Sequence, residues 1–258
     1  MNAANFITAA DAFNGWKDDV LTGKGPTFYP IASAGELSRI EIGPGLVTLI
    51  GGAPGSGKTC FVMQAVVDAL RLSPELRALV CNIEMGPAVL LDRQLSRLSG
   101  IDASTIRYRR FTAEHGDRLD QGLRTLETVI DRLAFAKPPF DLANVALSAD
   151  AFRADLIVLD YIQRILPPGE HGDKRGAVNA TMDHLRRFAE NEIALIVVAA
   201  VGRTKDKAGR SSYDADGLNL ASFRESSELE FGADDAFILA PDAKDAGRVT
   251  LKHLKSSP

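Results

Sequence analysis

The feature that most constrains this chain is an eight-residue stretch with the pattern G-x-x-x-x-G-K-T, which directly follows an apolar run. It consists of Gly52, Ala53, Pro54, Gly55, Ser56, Gly57, Lys58 and Thr59. Residues 46–50 before it have the composition of a buried parallel strand, and residues 60–70 after it have helical spacing. Glycines let successive backbone N–H groups turn toward one phosphate, and the helix N-terminus adds partial positive charge. The stretch therefore predicts a loop that binds nucleotide phosphates.

Two side chains of this loop have defined chemistry. Lys58 is expected to bridge the β- and γ-phosphates, and the Thr59 hydroxyl is expected to ligate Mg²⁺. The predicted nucleotide site also includes Cys60, which follows them directly. A glycine turn without function is the alternative, but eight matching positions between a strand and a helix argue against it.

Composition places the chain among ordinary globular proteins. It has 258 residues, 45% hydrophobic and 25% charged, which suits one α/β domain better than two small ones. The longest uncharged apolar run, residues 193–202, is about half of the ~20 residues needed to cross a bilayer. The N-terminus has no pattern of a secretion signal, so we expect a cytoplasmic protein without membrane contact. The net charge of −4 means that any nucleic-acid contact must come from a local patch.

Two acidic residues follow apolar strands, at the edge where open α/β sheets bind ligands. Residues 78–83 are a predicted strand that leads to Glu84, a candidate general base; a helix-capping or solvated glutamate is the alternative. Residues 155–160 are a predicted strand that ends in Asp160, placed to reach the magnesium shell opposite the glycine loop. The alternative is an aspartate that simply ends a strand. Together with the loop, the two acids predict a nucleotide-hydrolase site.

The remaining pattern predicts alternating helices and strands. Helices are predicted near residues 1–24, 87–98, 117–133, 141–152 and 174–191; strands are predicted at 193–200 and 235–239, with a hairpin into 248–252. The first helix is amphipathic and must pack either on its own core or on a neighbouring molecule. Cys60 and Cys81 lack metal-ligand spacing and are predicted to be buried packing residues.

Two stretches are rich in cations. The cluster at residues 107–110 is predicted to be a solvated face, as short charge runs usually are. The polar segment 203–220 is long for a loop in a compact domain, and such loops are usually functional or mobile. From the residues alone, phosphate binding and solvent exposure are equally supported for its cations, which are Arg203, Lys205, Lys207 and Arg210.

Four segments in this order and spacing resemble the C-terminal ATPase domain of the replicative DnaB helicases. They are the glycine loop, the strand ending CNIEM, the strand ending LIVLDYIQRI and the segment FRESSELEFGADDAFIL. The family has a strand ending S-L-E-M, a magnesium strand ending D-Y-L-Q, and a segment close to L-R-E-S-G-x-I-E-x-x-A-D. The resemblance covers about residue 21 to the end. It implies a RecA-like P-loop fold, with a mainly parallel sheet, flanking helices and antiparallel pairing at the C-terminal edge.

The resemblance also implies a function and roles for individual residues. It implies a hexameric ring around single-stranded DNA, with ATP and Mg²⁺ at each subunit boundary and with replication partners. Glu84 would activate the attacking water, Asp160 would support the metal, and Gln163 falls on the glutamine of D-Y-L-Q. The loop from Arg203 would line the channel and hold DNA, with Arg224 and Glu225 included. Residues 1–24 would resemble the linker helix, which docks on the adjacent subunit, ahead of an ATPase domain at residues 25–258.

Three departures from the family pattern bear on function. Ala200 stands where the family has a glutamine that senses the γ-phosphate, and an alanine side chain cannot donate a hydrogen bond. Alignment on Pro258 puts Lys255 at the position of the family's arginine finger, whereas alignment on Lys252 puts Leu254 there. The family's primase-contacting domain and final strand have no counterpart, so the sequence is either a portion of a longer protein or a standalone version.

The leading hypothesis is a DnaB-like ATPase that hydrolyses ATP at subunit interfaces, translocates on single-stranded DNA and unwinds the duplex. The first alternative is a RecA-like regulatory ATPase that grips DNA without unwinding it, which Ala200 and the missing arginine favour. The second is a P-loop kinase for a small molecule. The lack of a recognisable substrate lid weakens that last alternative.

Overall fold

The computed structural model describes residues 6–169, 174–202, 204–205, 211–212, 219–223, 228–242, 245 and 247–256. Its helices are α1 Ala9–Thr22, α2 Lys58–Leu72, α3 Pro87–Ser99, α4 Ala103–Arg107, α5 Gly116–Glu127, α6 Leu142–Phe152, α7 Lys174–Glu190 and α8 Glu228–Gly232. Its strands are β1 Val47–Gly52, β2 Ala78–Asn82, β3 Leu133–Phe135, β4 Leu156–Asp160, β5 Ala194–Ala200, β6 Thr204–Lys205, β7 Ser211–Ser212, β8 Asp235–Pro241 and β9 Val249–Lys255.

A seven-stranded sheet forms the centre of the molecule, in the order β3-β2-β4-β5-β1-β8-β9. All neighbouring strands are parallel except β8 and β9, which pair antiparallel at one edge. β6 and β7 form a separate antiparallel pair. The fold class predicted from the sequence is therefore confirmed, including the antiparallel strand at the C-terminal edge.

Helices cover both faces of the sheet, which explains why the strands are nearly continuous apolar runs. Successive strand residues point to opposite faces, so β5 contributes Ile196 and Val198 to one core and Leu195 and Val197 to the other. The first core is completed mainly by α2 and α3, and the second by α6 and α7. Both cores hold the carboxyl ends of β1, β2, β4 and β5 in fixed register, which is where the candidate site lies.

The predicted helix over residues 117–133 is wrong in its second half. α5 ends at Glu127, residues 130–132 form a 3-10 turn, and Leu133 begins β3. The helix ends early because tertiary contacts place the next residues in the sheet. There β3 pairs with β2, and Leu133 lies opposite Ala78. A strand of three residues is too short to show a period in the sequence, and the backbone hydrogen bonds of the sheet edge decide its conformation.

The predicted N-terminal helix is confirmed as α1, and none of its residues is buried. Thr8 caps its first turn in a reciprocal box with Asp11, and Gly23 ends it in the left-handed conformation. Its apolar side chains remain exposed, Phe13 by 50% and Trp16 by 60%. α1 therefore does not pack on the core formed by the described residues, while the division of the chain into two domains stays a prediction. Among the described residues, no helix combines the length and apolar character needed to span a membrane.

Candidate nucleotide site

The glycine loop lies between the carboxyl end of β1 and the first turn of α2, as predicted. Gly52 has a φ of 157°, and a Cβ there would lie 2.4 Å from the Ser56 Oγ and 2.7 Å from the Leu239 carbonyl. Only glycine fits this crowded position without displacing the loop. Gly57 is the N-cap of α2 and provides no side-chain cap, so the first N–H groups of α2 remain available to an anion.

Lys58 is held against the loop by two hydrogen bonds. Its Nζ donates to the carbonyls of Gly52 and Ala53, each at 2.8 Å. Burial lowers the pKa of Lys58, and the nearby carboxylates of Asp160 and Glu84 oppose that shift. The amine is therefore positioned at the loop, where it can bind a phosphate oxygen.

The two predicted magnesium residues contact each other directly. The Thr59 Oγ1 donates to the Asp160 Oδ2 at 2.6 Å, and the Asn82 Nδ2 donates to the same oxygen at 2.6 Å. Asp160 is only 5% exposed, and burial raises its pKa. Glu84 raises that pKa further, whereas both hydrogen bonds and Lys58 lower it. A buried carboxylate of this kind gains from a cation beside it, which fits the demand of Mg²⁺ for oxygen ligands.

Glu84 follows β2 in a turn held by Asn82. The Asn82 Oδ1 accepts from the backbone N–H of Glu84 at 3.1 Å and from that of Met85 at 2.7 Å. Asn82 lies opposite Asp160 in the β2–β4 register, so one side chain joins both acidic positions. The predicted strand to residue 83 ends at Asn82, and the exposed Glu84 side chain lines the same cavity as Lys58 and Asp160.

This cavity has a volume of about 520 Å³. It is lined by Pro54, Gly55, Gly57, Lys58, Thr59, Cys60, Glu84, Met85, Arg93, Asp160, Tyr161 and Ala200. The Ser56 Oγ is buried beside it and has no hydrogen-bond partner among the described residues. An unpartnered buried hydroxyl and an uncapped helix N-terminus are both unmet donors, as a phosphate site requires. The residues present therefore fit a nucleotide with Mg²⁺.

Arg93 also lines the cavity, although no motif in the sequence indicates it. It lies in α3 with its side chain exposed, and its Nη1 is 3.5 Å from the Cys60 Sγ. Arg93 is nine positions after Glu84, and only the packing of α3 beside α2 brings it to the loop. The guanidinium adds a second cation to the cavity, and the polar face of α3 was the only signal in the sequence.

The two cysteines differ in environment. Cys81 is buried as predicted, and burial raises its pKa to about 12. The prediction that Cys60 is a buried packing residue is wrong, because the side chain is exposed at the cavity. The first turn of α2 faces the ligand site rather than a core. The inclusion of Cys60 in the nucleotide site is compatible with this position.

Not every residue predicted for the site lines the cavity: Gly52, Ala53 and Ser56 of the glycine loop lie behind its lining, and so do two residues from other elements, Gln163 and Lys255. Gln163 is in the 3-10 turn after β4 and pairs with the backbone of Ala200. Gln163 does not itself line the cavity, and its assignment to the nucleotide site stays a prediction. Lys255 lies at the end of β9, and its Nζ donates to the carbonyl of Ala233 at 2.5 Å within the same chain. Its role toward a neighbouring subunit stays a prediction.

The predicted DNA-binding residues fall on parts of the chain that are not described. Arg203, Lys207, Arg210, Arg224 and Glu225 lie outside the described residues. Lys205 belongs to β6, of which only the chain path is described. Their contact with DNA stays a prediction.

Comparison with known proteins extends these findings. The family profile described as the DnaB-like helicase C-terminal domain matches residues 42–252. The fold is similar to a solved structure described as an ATPase domain, with a TM-score of 0.81 and 18% identity over 98% of this chain and 92% of that one. It is equally similar to a DnaB-like replicative helicase described with its primase interactions, with a TM-score of 0.81 and 18% identity over 97% of this chain. The chain spans 63% of that second protein's length. No curated protein sequence matches the chain.

Proposed function

Because the chain belongs to the family of DnaB-like helicase C-terminal domains, we propose that it is an ATP-dependent DNA helicase. It hydrolyses ATP at subunit interfaces, translocates on single-stranded DNA and separates the duplex. The observation that carries this proposal is the convergence of Lys58, Thr59, Asp160 and Glu84 on one cavity at the carboxyl edge of the sheet. In that arrangement one cation, one hydroxyl and two carboxylates would surround the terminal phosphate of a nucleotide bound at the loop.

Each of these side chains has a separate chemical role. The Lys58 amine and the N–H groups at the start of α2 bind phosphate oxygens. The Thr59 hydroxyl and the Asp160 carboxylate would hold Mg²⁺. Bound Mg²⁺ neutralises charge on the β- and γ-phosphate oxygens. The Glu84 side chain is exposed at the cavity, so its carboxylate can orient a water and accept its proton.

The proposal is tested by turnover and by strand separation. We expect single-stranded DNA to stimulate ATP hydrolysis severalfold, and the protein to separate a forked duplex with ATP and Mg²⁺. Binding and stimulated hydrolysis without strand separation would support the regulatory ATPase instead. Ala200 favours that second candidate, because its side chain cannot donate to a γ-phosphate. ATP turnover that requires a small-molecule phosphate acceptor and is unaffected by DNA would contradict both the helicase and the regulatory ATPase.

The proposed function requires several copies of the chain to assemble, and we propose that α1 mediates this assembly. Its Phe13 and Trp16 rings lie 5.6 Å apart and form an exposed apolar stripe that the described part of its own chain does not cover. Between α3 and α5 lies a mainly apolar groove of about 420 Å³. It is lined by Leu91, Asp92, Leu95, Arg109, Phe111, Leu119, Leu123, Leu126, Glu127 and Ile130. We propose that α1 of one copy docks in this groove of a second copy, since no other described part of the chain covers either surface.

This docking predicts the effect of an acidic substitution on either surface. Trp16→Glu and Leu123→Glu should each weaken assembly about tenfold or more per interface, because each places a charge where an apolar side chain is buried. Leu147→Glu is the matched control, since Leu147 is 69% exposed on α6 and outside the groove. The measurement is the mass in solution by light scattering, with a non-hydrolysable ATP analogue and an oligonucleotide. Assembly that survives Trp16→Glu would contradict the role of α1.

A further inference from the structure

Gln163 makes a two-point contact with the backbone of Ala200. The Gln163 Oε1 accepts from the Ala200 N–H at 3.2 Å, and the Gln163 Nε2 donates to the Ala200 carbonyl at 3.4 Å. Gln163 belongs to the 3-10 turn Ile162–Arg164, which follows Asp160 at the end of β4. The last residues paired between β4 and β5 are Asp160 and Val198. The carboxamide of Gln163 therefore adds a contact beyond that pair, between the turn after β4 and the end of β5.

Ala200 is a junction between the nucleotide cavity and the chain that follows β5. It lines the cavity, and it is the last residue of β5. The next residue, Val201, forms an antiparallel bridge with Phe223, and the Gly202 N–H donates to the Ser222 carbonyl at 2.6 Å. Any displacement of the Ala200 backbone must therefore be shared with Val201 and with residues 219–223.

Phe223 also packs against β1, the strand that leads into the glycine loop. The Phe223 ring packs over Gly51 of β1 so closely that a Cβ at Gly51 would lie 2.5 Å from the ring. Phe223 is 5% exposed and Val201 is 1% exposed. The chain leaving β5 is thus held on one side by Gln163 and on the other by an aromatic side chain packed against β1.

We propose that Gln163 is a positioning residue that makes the end of β5 follow the state of the nucleotide site. In this chain the side chain at position 200 offers no hydrogen bond, and the Ala200 backbone is held by the β1 ladder on one side and by the carboxamide of Gln163 on the other. When nucleotide changes the position of Asp160 and the turn after it, Gln163 transmits that change to residues 200–202 and 219–223. Two hydrogen bonds from one carboxamide fix the orientation of a peptide group as well as its position, whereas a single hydrogen bond leaves it free to rotate. A movement of Gln163 would therefore both shift and turn the Ala200 peptide group.

The inference rests on the proposed function and predicts a specific pattern of amide exchange. In the wild-type protein, a non-hydrolysable ATP analogue with Mg²⁺ should slow hydrogen exchange both in the loop 52–59 and in residues 200–202 and 219–223. In Gln163→Met, exchange at Ala200 should rise about tenfold, because the hydrogen bond that its N–H donates to the Gln163 Oε1 is lost. The analogue should still protect the loop 52–59 with affinity within about twofold, because Gln163 does not line the cavity. Protection of the more distant segments should disappear.

Two further variants separate positioning from a general loss of structure. Gln163→Glu keeps the acceptor for the Ala200 N–H, so it should restore part of the linked protection even where Gln163→Met folds poorly. Gln121→Met is the matched control, since Gln121 is exposed on α5 and should leave all segments as in the wild-type protein. Stimulation of hydrolysis by single-stranded DNA should fall severalfold in Gln163→Met, with KM for ATP nearly constant.

The possible results distinguish this inference from the proposed function. Linked protection that survives Gln163→Met overturns the positioning role alone. Loop protection without any change at residues 200–202 in the wild-type protein also overturns it alone. A wild-type protein in which the analogue protects neither region overturns the nucleotide proposal together with the inference.

Discussion

Replacement of Lys58 by alanine should abolish measurable nucleotide binding. The amine is held at 2.8 Å from two loop carbonyls, and it lies in a cavity that also contains the carboxylates of Glu84 and Asp160. Without it, a triphosphate would meet two negative groups with only Arg93 to balance them among the described cavity residues. Charged hydrogen bonds are worth about 1.5–3 kcal/mol each, so the loss of two phosphate contacts predicts a fall in affinity of about hundredfold or more.

The measurement is titration calorimetry or binding of a fluorescent ATP analogue with Mg²⁺. Lys137→Ala is the control, because Lys137 is exposed and does not line the cavity. The carbonyls of Gly52 and Ala53 lose a donor in the variant, so a thermal melt must accompany the titration. Lys58→Met, which keeps most of the side-chain volume, should show the same loss. An affinity within about threefold of the wild-type value in a folded variant would contradict the assignment of this loop to phosphate.

The loop and the central sheet could be predicted from the sequence because their signals are local. A buried parallel strand is apolar at every position, and the bounds predicted for β4 and β5 agree with the structure to within one residue. The glycine pattern predicts the conformation of the loop, because Gly52 and Gly57 have positive φ angles that other residues disfavour. The rule that ligands bind at the carboxyl ends of strands predicts the acids at positions 84 and 160.

What the sequence could not reveal depends on contacts between distant segments. Arg93 reaches the cavity only because α3 packs beside α2, and Asn82 joins the turn before Glu84 to Asp160 only because β2 and β4 are neighbours. The pairing of Gln163 with Ala200 likewise crosses from β4 to β5. The family motif predicts Gln163 at the nucleotide site, and in the structure both ends of its amide contact the backbone of Ala200.

The same contacts show how the site separates binding from chemistry. Lys58, Thr59 and Asp160 are tied to backbone or to each other, with short hydrogen bonds that hold them in place before any ligand arrives. Glu84 differs, because its backbone is fixed through Asn82 whereas its side chain is exposed at the cavity. A residue that binds should be rigid in advance, whereas a base must remain accessible to water. Substitution at position 84 should therefore affect turnover without affecting binding.

We expect Glu84→Gln to bind ATP with wild-type or tighter affinity and to lose hydrolysis by about 10²- to 10⁴-fold in kcat. Glutamine has the same size, and the Asn82 contacts involve only the backbone of position 84, so the turn should be preserved. Removal of the negative charge reduces repulsion of the triphosphate and lowers the pKa of Asp160, which Glu84 raises. Both effects favour bound Mg²⁺ and nucleotide.

The test compares single-turnover hydrolysis with nucleotide affinity for Glu84→Gln and for the control Glu75→Gln, in which an exposed glutamate outside the cavity is changed. Both measurements require the assembled protein, because the proposed site is completed by a neighbouring subunit. Normal hydrolysis in Glu84→Gln would mean that another group activates the water. Loss of binding would instead make Glu84 a structural part of the cavity. Only retained binding with lost turnover assigns the proton transfer to Glu84, since glutamine keeps the size of the side chain but replaces a carboxylate oxygen with an amide NH₂, which can neither accept the proton nor carry charge.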